Sequence, residues 1–223
     1  MTIDFHTHTY HSYDSLMRPE KILKLAKQRG LNAIVINDHD TIKGGLECAQ
    51  INKDKDFKVI VGAEIKTNVG DITGIFLKEE ISSRHYADVI KEIKSQGGIT
   101  ILNHPFVGHK LDDMNFDGID LIEGYNGRLS KTENELAVQL AQKLGKPIIA
   151  GSDSHIYSEI SNCKTHYLDF NNLMNPSSVD YTQCSILAPV ISQIIKANKK
   201  GDAALMISVI LSIPGKIFRR TFK

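Results

Sequence analysis

Short apolar segments alternate along the chain with longer amphipathic segments, and each apolar segment is about as long as a buried strand. The pattern predicts strands at residues 3–8, 33–37, 57–67, 71–77, 99–102, 121–123, 147–150 and 164–170. It predicts helices between them at residues 19–29, 44–53, 82–96 and 131–144. The triplet Asn68-Val69-Gly70 separates two consecutive strands, which predicts a hairpin or a bent pair. Alternation of this kind indicates an α/β fold.

The order of these elements favours a largely parallel sheet that closes into a barrel. No GxGxxG fingerprint of an open dinucleotide-binding sheet follows any predicted strand. Beyond residue 170 the chain is first polar and rich in turn residues, and two further helices are predicted at 187–198 and 203–220. We therefore predict a barrel domain over residues 1–170 and a short helical C-terminal extension over residues 171–223.

Composition and charge exclude several classes of protein. With 41% hydrophobic and 24% charged residues, the 223-residue chain has the composition of an ordinary globular domain. The 27 Lys and Arg residues are balanced by 26 Asp and Glu residues, which argues against an extended nucleic-acid surface. Three scattered cysteines without a CxxC pair suggest neither a disulfide framework nor a zinc ribbon, and we expect a reducing, cytoplasmic location. No signal peptide is expected, because no apolar leader precedes Asp4.

Histidines and carboxylates concentrate at the ends of the predicted strands. His6 and His8 lie two residues apart, so both side chains point to one face of the first strand, as a pair of metal ligands requires. The other candidates follow or lie within successive predicted elements: Asp14, His39, Glu64, His104, Glu123, Asp153 and His155. The carboxyl ends of barrel strands meet on one face, and charges buried together there are costly unless they are paired or bind metal. Few basic residues flank these positions, so the pattern indicates a metal site.

Some of these residues have ordinary interpretations when taken singly. His104 alone would more often be a loop residue than a ligand, and Glu64 alone would be the buried partner of an arginine. His11 competes with Asp14 for the ligand position in the first loop. We favour Asp14, because His11 is out of phase with the preceding histidine pair.

The chain resembles the polymerase and histidinol phosphatase (PHP) superfamily of metal-dependent phosphoesterases. The resemblance rests on six segments in the family's order: DFHTHTYHSYDS, INDHDTIKGG, VGAEI, LNHP, IEGYNG and GSDSH. It covers residues 1–170 and implies a distorted, TIM-like (β/α)7 barrel with two or three divalent ions in its mouth. Carried over by position, the ligands form three groups: His6, His8, Glu64 and Asp153; then Glu64, His104 and Glu123; then Asp14, His39 and His155. Asp14 and Glu123 stand where many members of the family have histidine.

The resemblance implies hydrolysis of a phosphate ester by a metal-bound hydroxide, with Glu64 and Asp153 as the central catalytic ligands. Asp14, Glu64, Glu123 and Asp153 contribute four negative charges, so three divalent ions leave a cationic site for a compact phosphate. With histidine and carboxylate ligands, Zn, Mn and Fe all fit. We predict a small phosphorylated substrate resembling a nucleotide or a sugar phosphate. The alternatives are a nuclease, a protein-tyrosine phosphatase, an amidohydrolase or a non-catalytic metal-binding scaffold.

Four further residues have two equally weighted interpretations. In the first, Arg128 or Lys43 would bind a phosphate, and Asp38 or Asp40 would orient a histidine ligand. In the second, all four are solvated loop residues. His109 is either a loop residue or a group behind the ligands.

The C-terminal apolar segment, residues 203–214, is too short to cross a bilayer. We expect a helix that docks on the barrel, with a homo-oligomer interface or a membrane-surface anchor as alternatives.

Overall fold

The structure is a computed structural model that describes the backbone of residues 1–221 and the side chains of residues 1–212. Its strands are β1 (Thr2–Asp4), β2 (Ala33–Ile36), β3 (Lys58–Lys66), β4 (Asp71–Ile75), β5 (Ile99–Leu102), β6 (Leu121–Asn126), β7 (Ile148–Gly151), β8 (Cys163–His166) and β9 (Ser178–Tyr181). Its helices are α1 (Pro19–Gln28), α2 (Lys43–Ile51), α3 (Tyr86–Ser95), α4 (Lys131–Leu144), α5 (Leu187–Lys200) and α6 (Ala203–Thr221).

All nine strands belong to one curved sheet in the order β7-β6-β5-β4-β3-β2-β1-β8-β9. Strands β1, β2 and β3 are parallel, as are β5, β6 and β7, whereas β4 is antiparallel to both of its neighbours. The predicted hairpin at residues 68–70 is therefore confirmed. The sheet nearly closes between β7 and β8, where the backbone N–H of Ala150 donates to Thr165 Oγ1. The predicted α/β, barrel-like fold is confirmed, with more strands than a simple (β/α)7 repeat requires.

Local sequence signals account for most helix boundaries. Pro19 stands at the start of α1, where its missing N–H costs no hydrogen bond. Ser130 and Glu133 form a capping box that begins α4, and Gly145 ends that helix in a left-handed conformation. These helices cover the outside of the barrel with their apolar faces, while isoleucines such as Ile3 and Ile101 fill its interior without exposure. The rigid sheet in turn holds its strand ends in register.

The chain beyond residue 170 adds to the sheet as well as to the helices. β9 pairs with β8 in antiparallel fashion, a strand that the sequence pattern does not predict. The two predicted C-terminal helices are confirmed as α5 and α6, which pack against each other. In the described part of the chain, no helix combines the length and the apolar character that a membrane crossing requires.

Candidate metal centre

The first histidine pair lies just beyond the hydrogen-bonded part of β1, which ends at Asp4 rather than at the predicted residue 8. The N–H of His8 donates to the carbonyl of Ser154, and the N–H of Ser154 donates to the carbonyl of His6. These bonds join the end of β1 to the loop after β7, across the gap where the barrel closes. His6 and His8 are thereby brought against the loop that carries Asp153.

Glu64 is the centre of the cluster. Its Oε2 lies 3.1 Å from His39 Nδ1, 3.4 Å from His6 Nε2 and 3.5 Å from His8 Nε2. Its Oε1 lies 2.9 Å from His104 Nε2. Four imidazoles from three segments of the chain thus converge on one buried carboxylate, as expected of a ligand that bridges ions.

Two more carboxylates complete the cluster. Asp153 Oδ1 lies 3.5 Å from His8 Nε2 and 3.3 Å from His155 Nδ1. Asp14 Oδ2 lies 3.3 Å from His39 Nε2 and 3.2 Å from His155 Nε2. His11, the alternative to Asp14, instead contacts Glu47 at 2.8 Å. The structure therefore brings Asp14, and not His11, into the cluster.

The donor atoms of this cluster fit divalent ions. Within the described residues, His6 Nε2, His8 Nε2, Asp14 Oδ1 and His104 Nδ1 are buried without a hydrogen-bond partner. Polar atoms buried in this way are costly unless something else binds them. Three sets of side chains offer ligand atoms within 4.8 Å of one another: His8, His39 and His155; His6, His8 and Glu64; and Glu64, Asp71 and His104. The second set belongs to the first predicted ligand group.

Burial and neighbouring charges set the protonation of the cluster. Burial, reinforced by the imidazoles of His155 and His39, lowers the pKa of His8 to about 3, so His8 is neutral and ready to bind a cation. Burial alone would also lower the pKa of His104, but Glu64 outweighs it and raises that pKa to about 9. Burial raises the pKa of Glu64, yet the surrounding histidines outweigh burial and hold it well below its usual range. Glu64 is therefore ionised, as a metal ligand must be.

Glu123 lies behind His6 rather than beside the other ligands. His6 Nδ1 donates to Glu123 Oε1 at 2.9 Å, while Glu123 Oε2 accepts from the N–H of His104 and from the amide of Asn126. Both carboxylate oxygens are thus engaged, and Glu123 is absent from the three ligand sets of the described residues. A carboxylate on the far nitrogen of a ligating histidine fixes its tautomer and orientation. The geometry therefore favours a role of Glu123 in orienting His6, whereas the ligand role expected from the sequence stays a prediction.

We expect Glu123→Gln to weaken binding of Mn²⁺ by about ten- to a hundredfold while the number of ions bound per chain stays the same. Glutamine removes the negative charge that supports His6 but leaves every ligand in place. Titration calorimetry gives both affinity and stoichiometry. Loss of one whole ion per chain would instead show that Glu123 binds metal directly.

A similar relay supports His8. Its Nδ1 lies 3.1 Å from Ser12 Oγ, and that hydroxyl donates to Asp38 Oδ1 at 2.7 Å. Gly44 permits this arrangement, because a Cβ there would lie 1.9 Å from Asp38 Oδ2. Asp38 accordingly acts through Ser12 on a ligand. Asp40, the other candidate, pairs with Arg84 at 3.2 Å instead.

Two members of the cluster have unusual backbone conformations. His104 has φ +29° and Asp153 has φ +53°, in the left-handed region that residues other than glycine rarely occupy. Such strain costs on the order of 1–3 kcal/mol per residue and concentrates at functional sites. Both side chains are aimed into the cluster at this cost.

Arg128 is already engaged and does not lie free at the mouth. Its Nε and Nη2 donate to the two oxygens of Glu159 at 2.9 and 3.0 Å, and its Nη1 donates to Ser192 Oγ of α5 at 2.9 Å. Glu159 also accepts from the N–H of His155. The guanidinium nitrogens that would bind a phosphate are therefore occupied, and Arg128 links α5 to the loop that carries His155.

We expect Arg128→Ala to lower the free energy of unfolding by about 3–5 kcal/mol, because it leaves a buried carboxylate without its partner. The side chains of Arg128 and Glu159 are only 11% and 1% exposed. Urea unfolding measures the loss, and the double variant Arg128→Met with Glu159→Gln should recover part of it. A loss below about 1 kcal/mol would indicate a solvated arginine.

Other candidates lie outside the cluster or were missed. Lys43 is exposed at the start of α2. His109 packs edge-on against His104 and bonds to the carbonyl of Asp71 at 2.9 Å, which places it behind the ligands. Asp71, a ligand candidate in the structure, was not predicted from the sequence.

The chain is similar to known proteins in both sequence and fold. The sequence profile of the PHP domain matches residues 4–206. The chain is 35% identical over 143 residues to the uncharacterized protein MJ1587 of Methanocaldococcus jannaschii, an alignment that covers 56% of this chain and 84% of that protein.

Crystal structures with a similar fold come from two bacteria. One is a two-domain protein of Bacteroides vulgatus that contains a predicted PHP-like metal-dependent phosphoesterase (TM-score 0.59, 25% identity, 70% of this chain and 52% of that one). The chain thus spans about half the length of that protein. PsfC of Pseudomonas syringae has the same fold (TM-score 0.62, 13% identity, 90% and 98% of the two chains). Since the profile matches most of its length, the chain belongs to the PHP domain family.

Proposed function

We propose that this protein is a metal-dependent hydrolase of small phosphate esters that resemble a nucleotide or a sugar phosphate. The observation that carries the proposal is the convergence of His6, His8, His39 and His104 on the buried Glu64. The buried donor atoms of this cluster that have no hydrogen-bond partner would be satisfied by two or three bound divalent ions. The similarity to the Bacteroides vulgatus protein, which contains a predicted PHP-like metal-dependent phosphoesterase, supports the reaction class.

The chain's own residues would hold the divalent ions and orient the imidazoles that bind them. The bound ions would supply Lewis acidity and an activated water for in-line attack on phosphorus. Glu64 would bridge two ions, and Asp153 and Asp14 would complete the ligand sets with the histidines around them. Glu123 and the Ser12–Asp38 pair would keep two ligating imidazoles in the required tautomer. Zn, Mn and Fe are all compatible with this donor set.

No cysteine serves as a nucleophile in this proposal. Burial raises the pKa of the Cys48 and Cys163 thiols, so both stay protonated at neutral pH. The near-neutral charge of the whole chain favours a compact phosphate over an extended polyanion.

A substrate panel with Mn²⁺-loaded protein tests the proposal. We expect release of phosphate from a mononucleotide or a sugar phosphate, with kcat/KM at least about tenfold above that for a single-stranded oligonucleotide or a phosphotyrosine peptide at physiological salt. Comparable cleavage of the oligonucleotide would indicate a nuclease. Binding of metal without hydrolysis of any phosphate ester would indicate a scaffold and overturn the proposal.

A further inference from the structure

Helix α5 reaches across the barrel to the first loop of the metal centre. Lys199 Nζ donates to the carbonyl of Tyr10 at 2.6 Å and to the carbonyl of Ser12 at 2.7 Å. The same helix contacts Arg128 through Ser192 on the other side of the mouth. Helix α5 is therefore held against the barrel by specific hydrogen bonds near its middle, at Ser192, and near its C-terminal end, at Lys199.

Tyr13, in the loop that Lys199 grips, lies directly on a metal-ligand candidate. Its ring is stacked on His39 with the ring centres 4.4 Å apart and the planes only 6° from parallel. Two ammonium groups of α5 lie over the same tyrosine: Lys200 Nζ at 4.6 Å and Lys196 Nζ at 4.8 Å from the ring centre. Because His39 covers one face of the ring, the lysines occupy the other. They stand one ring beyond the cluster of ligands.

These two ammonium groups lack the usual neutralising partners. Among residues 1–212, no carboxylate lies within 4.0 Å of either Lys196 or Lys200, although many other surface lysines of the chain also lack one. What distinguishes this pair is that both positive charges share one ring. Like charges so close repel each other, and the faces of an aromatic ring offset this only in part. An anion that lies between them would remove the repulsion.

Bound ions change the charge that the lysines face. Without ions, the ionised carboxylates of Asp14 and Glu64 contact His39, the ring on which Tyr13 is stacked. When divalent ions neutralise those carboxylates, the attraction on the lysines weakens, and the two ammonium groups are left as a cationic rim at the mouth. Such a rim would hold a negative group that the metal centre itself cannot reach.

We propose that Lys196 and Lys200 form a second anion subsite, and that preferred substrates carry a further anionic group beyond the phosphate that is hydrolysed. The spacing is set by the Tyr13 ring, which is stacked on His39 on one side and contacts both lysines on the other. This inference rests on the proposed function, since it assumes that the first phosphate binds at the metal centre. If the lysines only pack on Tyr13, ligands with one charged end and ligands with two charged ends should bind with the same affinity.

Binding of non-hydrolysable probes to Mn²⁺-loaded protein tests the subsite without any turnover. The probes are alkane bisphosphonates with a phosphonate at each end, each compared by titration calorimetry with the alkylphosphonate of equal chain length. We expect one chain length to bind at least about tenfold more tightly than its single-ended partner, as an added interaction of charges predicts. In the double variant Lys196→Gln with Lys200→Gln this ratio should fall to about one.

The control is the double variant Lys91→Gln with Lys143→Gln, which removes the same charge from exposed positions on α3 and α4. It should keep the parent ratio. A ratio near one at every chain length in the parent protein, or an unchanged ratio in the α5 variant, would overturn the subsite. The outcome is separate from that of the proposed function, because the ratio is measured by binding whether or not any phosphate ester is hydrolysed.

Discussion

Glu64→Ala should lower kcat for phosphate-ester hydrolysis by more than about a thousandfold, because the variant loses the carboxylate that would bridge two ions and generate the nucleophile. In the structure both oxygens of Glu64 face imidazoles, at 2.9 Å on one side and 3.1 Å on the other. No neighbouring carboxylate takes the same central position. The expected loss is measured by steady-state kinetics with Mn²⁺ in excess.

The control is Glu79→Ala, which removes an exposed carboxylate outside the cluster and should leave kcat unchanged. Elemental analysis of the Glu64 variant should show fewer ions per chain than in the parent. Cooperative unfolding would show that the variant still folds. Near-native turnover in Glu64→Ala would remove Glu64 from the centre.

Chelation of divalent ions should abolish hydrolysis and lower the free energy of unfolding. An ion present at a hundred times its Kd contributes about 2.7 kcal/mol to the folded state. Removal returns His6 Nε2 and His8 Nε2 to a buried environment without partners, which opposes folding. Urea unfolding with and without chelator measures the change, and added Mn²⁺ should restore both activity and stability. Full activity after exhaustive chelation would contradict the metal centre.

The affinity for divalent ions should also depend on pH. The neighbouring carboxylates raise the pKa values of several histidines against the opposing effect of burial, and that of His104 reaches about 9. An ion must displace the protons held by these groups, so binding should release protons and become tighter as pH rises toward 9. Calorimetry in buffers of different ionisation enthalpy counts the protons. Affinity that falls with rising pH would contradict this protonation state.

The features that follow from topology were predicted well. Strand ends of a barrel meet on one face whatever the detail of the loops, so His6, His8, Glu64, Asp153 and His155 were placed together from their positions after apolar segments. Helix boundaries follow from local signals and were correct within a few residues. The barrel-like α/β fold and membership of the PHP domain family are confirmed.

The features that depend on loop geometry were not predictable in the same way. Arg128 has the right sequence position for the mouth, but its partner Glu159 is 31 residues away, on a loop whose path no periodicity reveals. Glu123 was placed correctly beside the cluster, yet which atoms its two oxygens meet depends on a register shift in β6. Lys196 and Tyr13 are 183 residues apart, and only the packing of α5 brings them together.

The left-handed backbone at His104 and Asp153 sets stability against activity in this fold. Glycine adopts such a conformation without steric penalty. Replacing either residue with glycine would therefore relieve backbone strain, and this relief would partly offset the free energy lost with the side-chain contacts. A screen of the ion-free protein for heat resistance would therefore penalise these exchanges less than a screen for turnover, which would reject them. Any effort to make the protein more robust should therefore leave these two positions untouched and seek its gains on the outer helices.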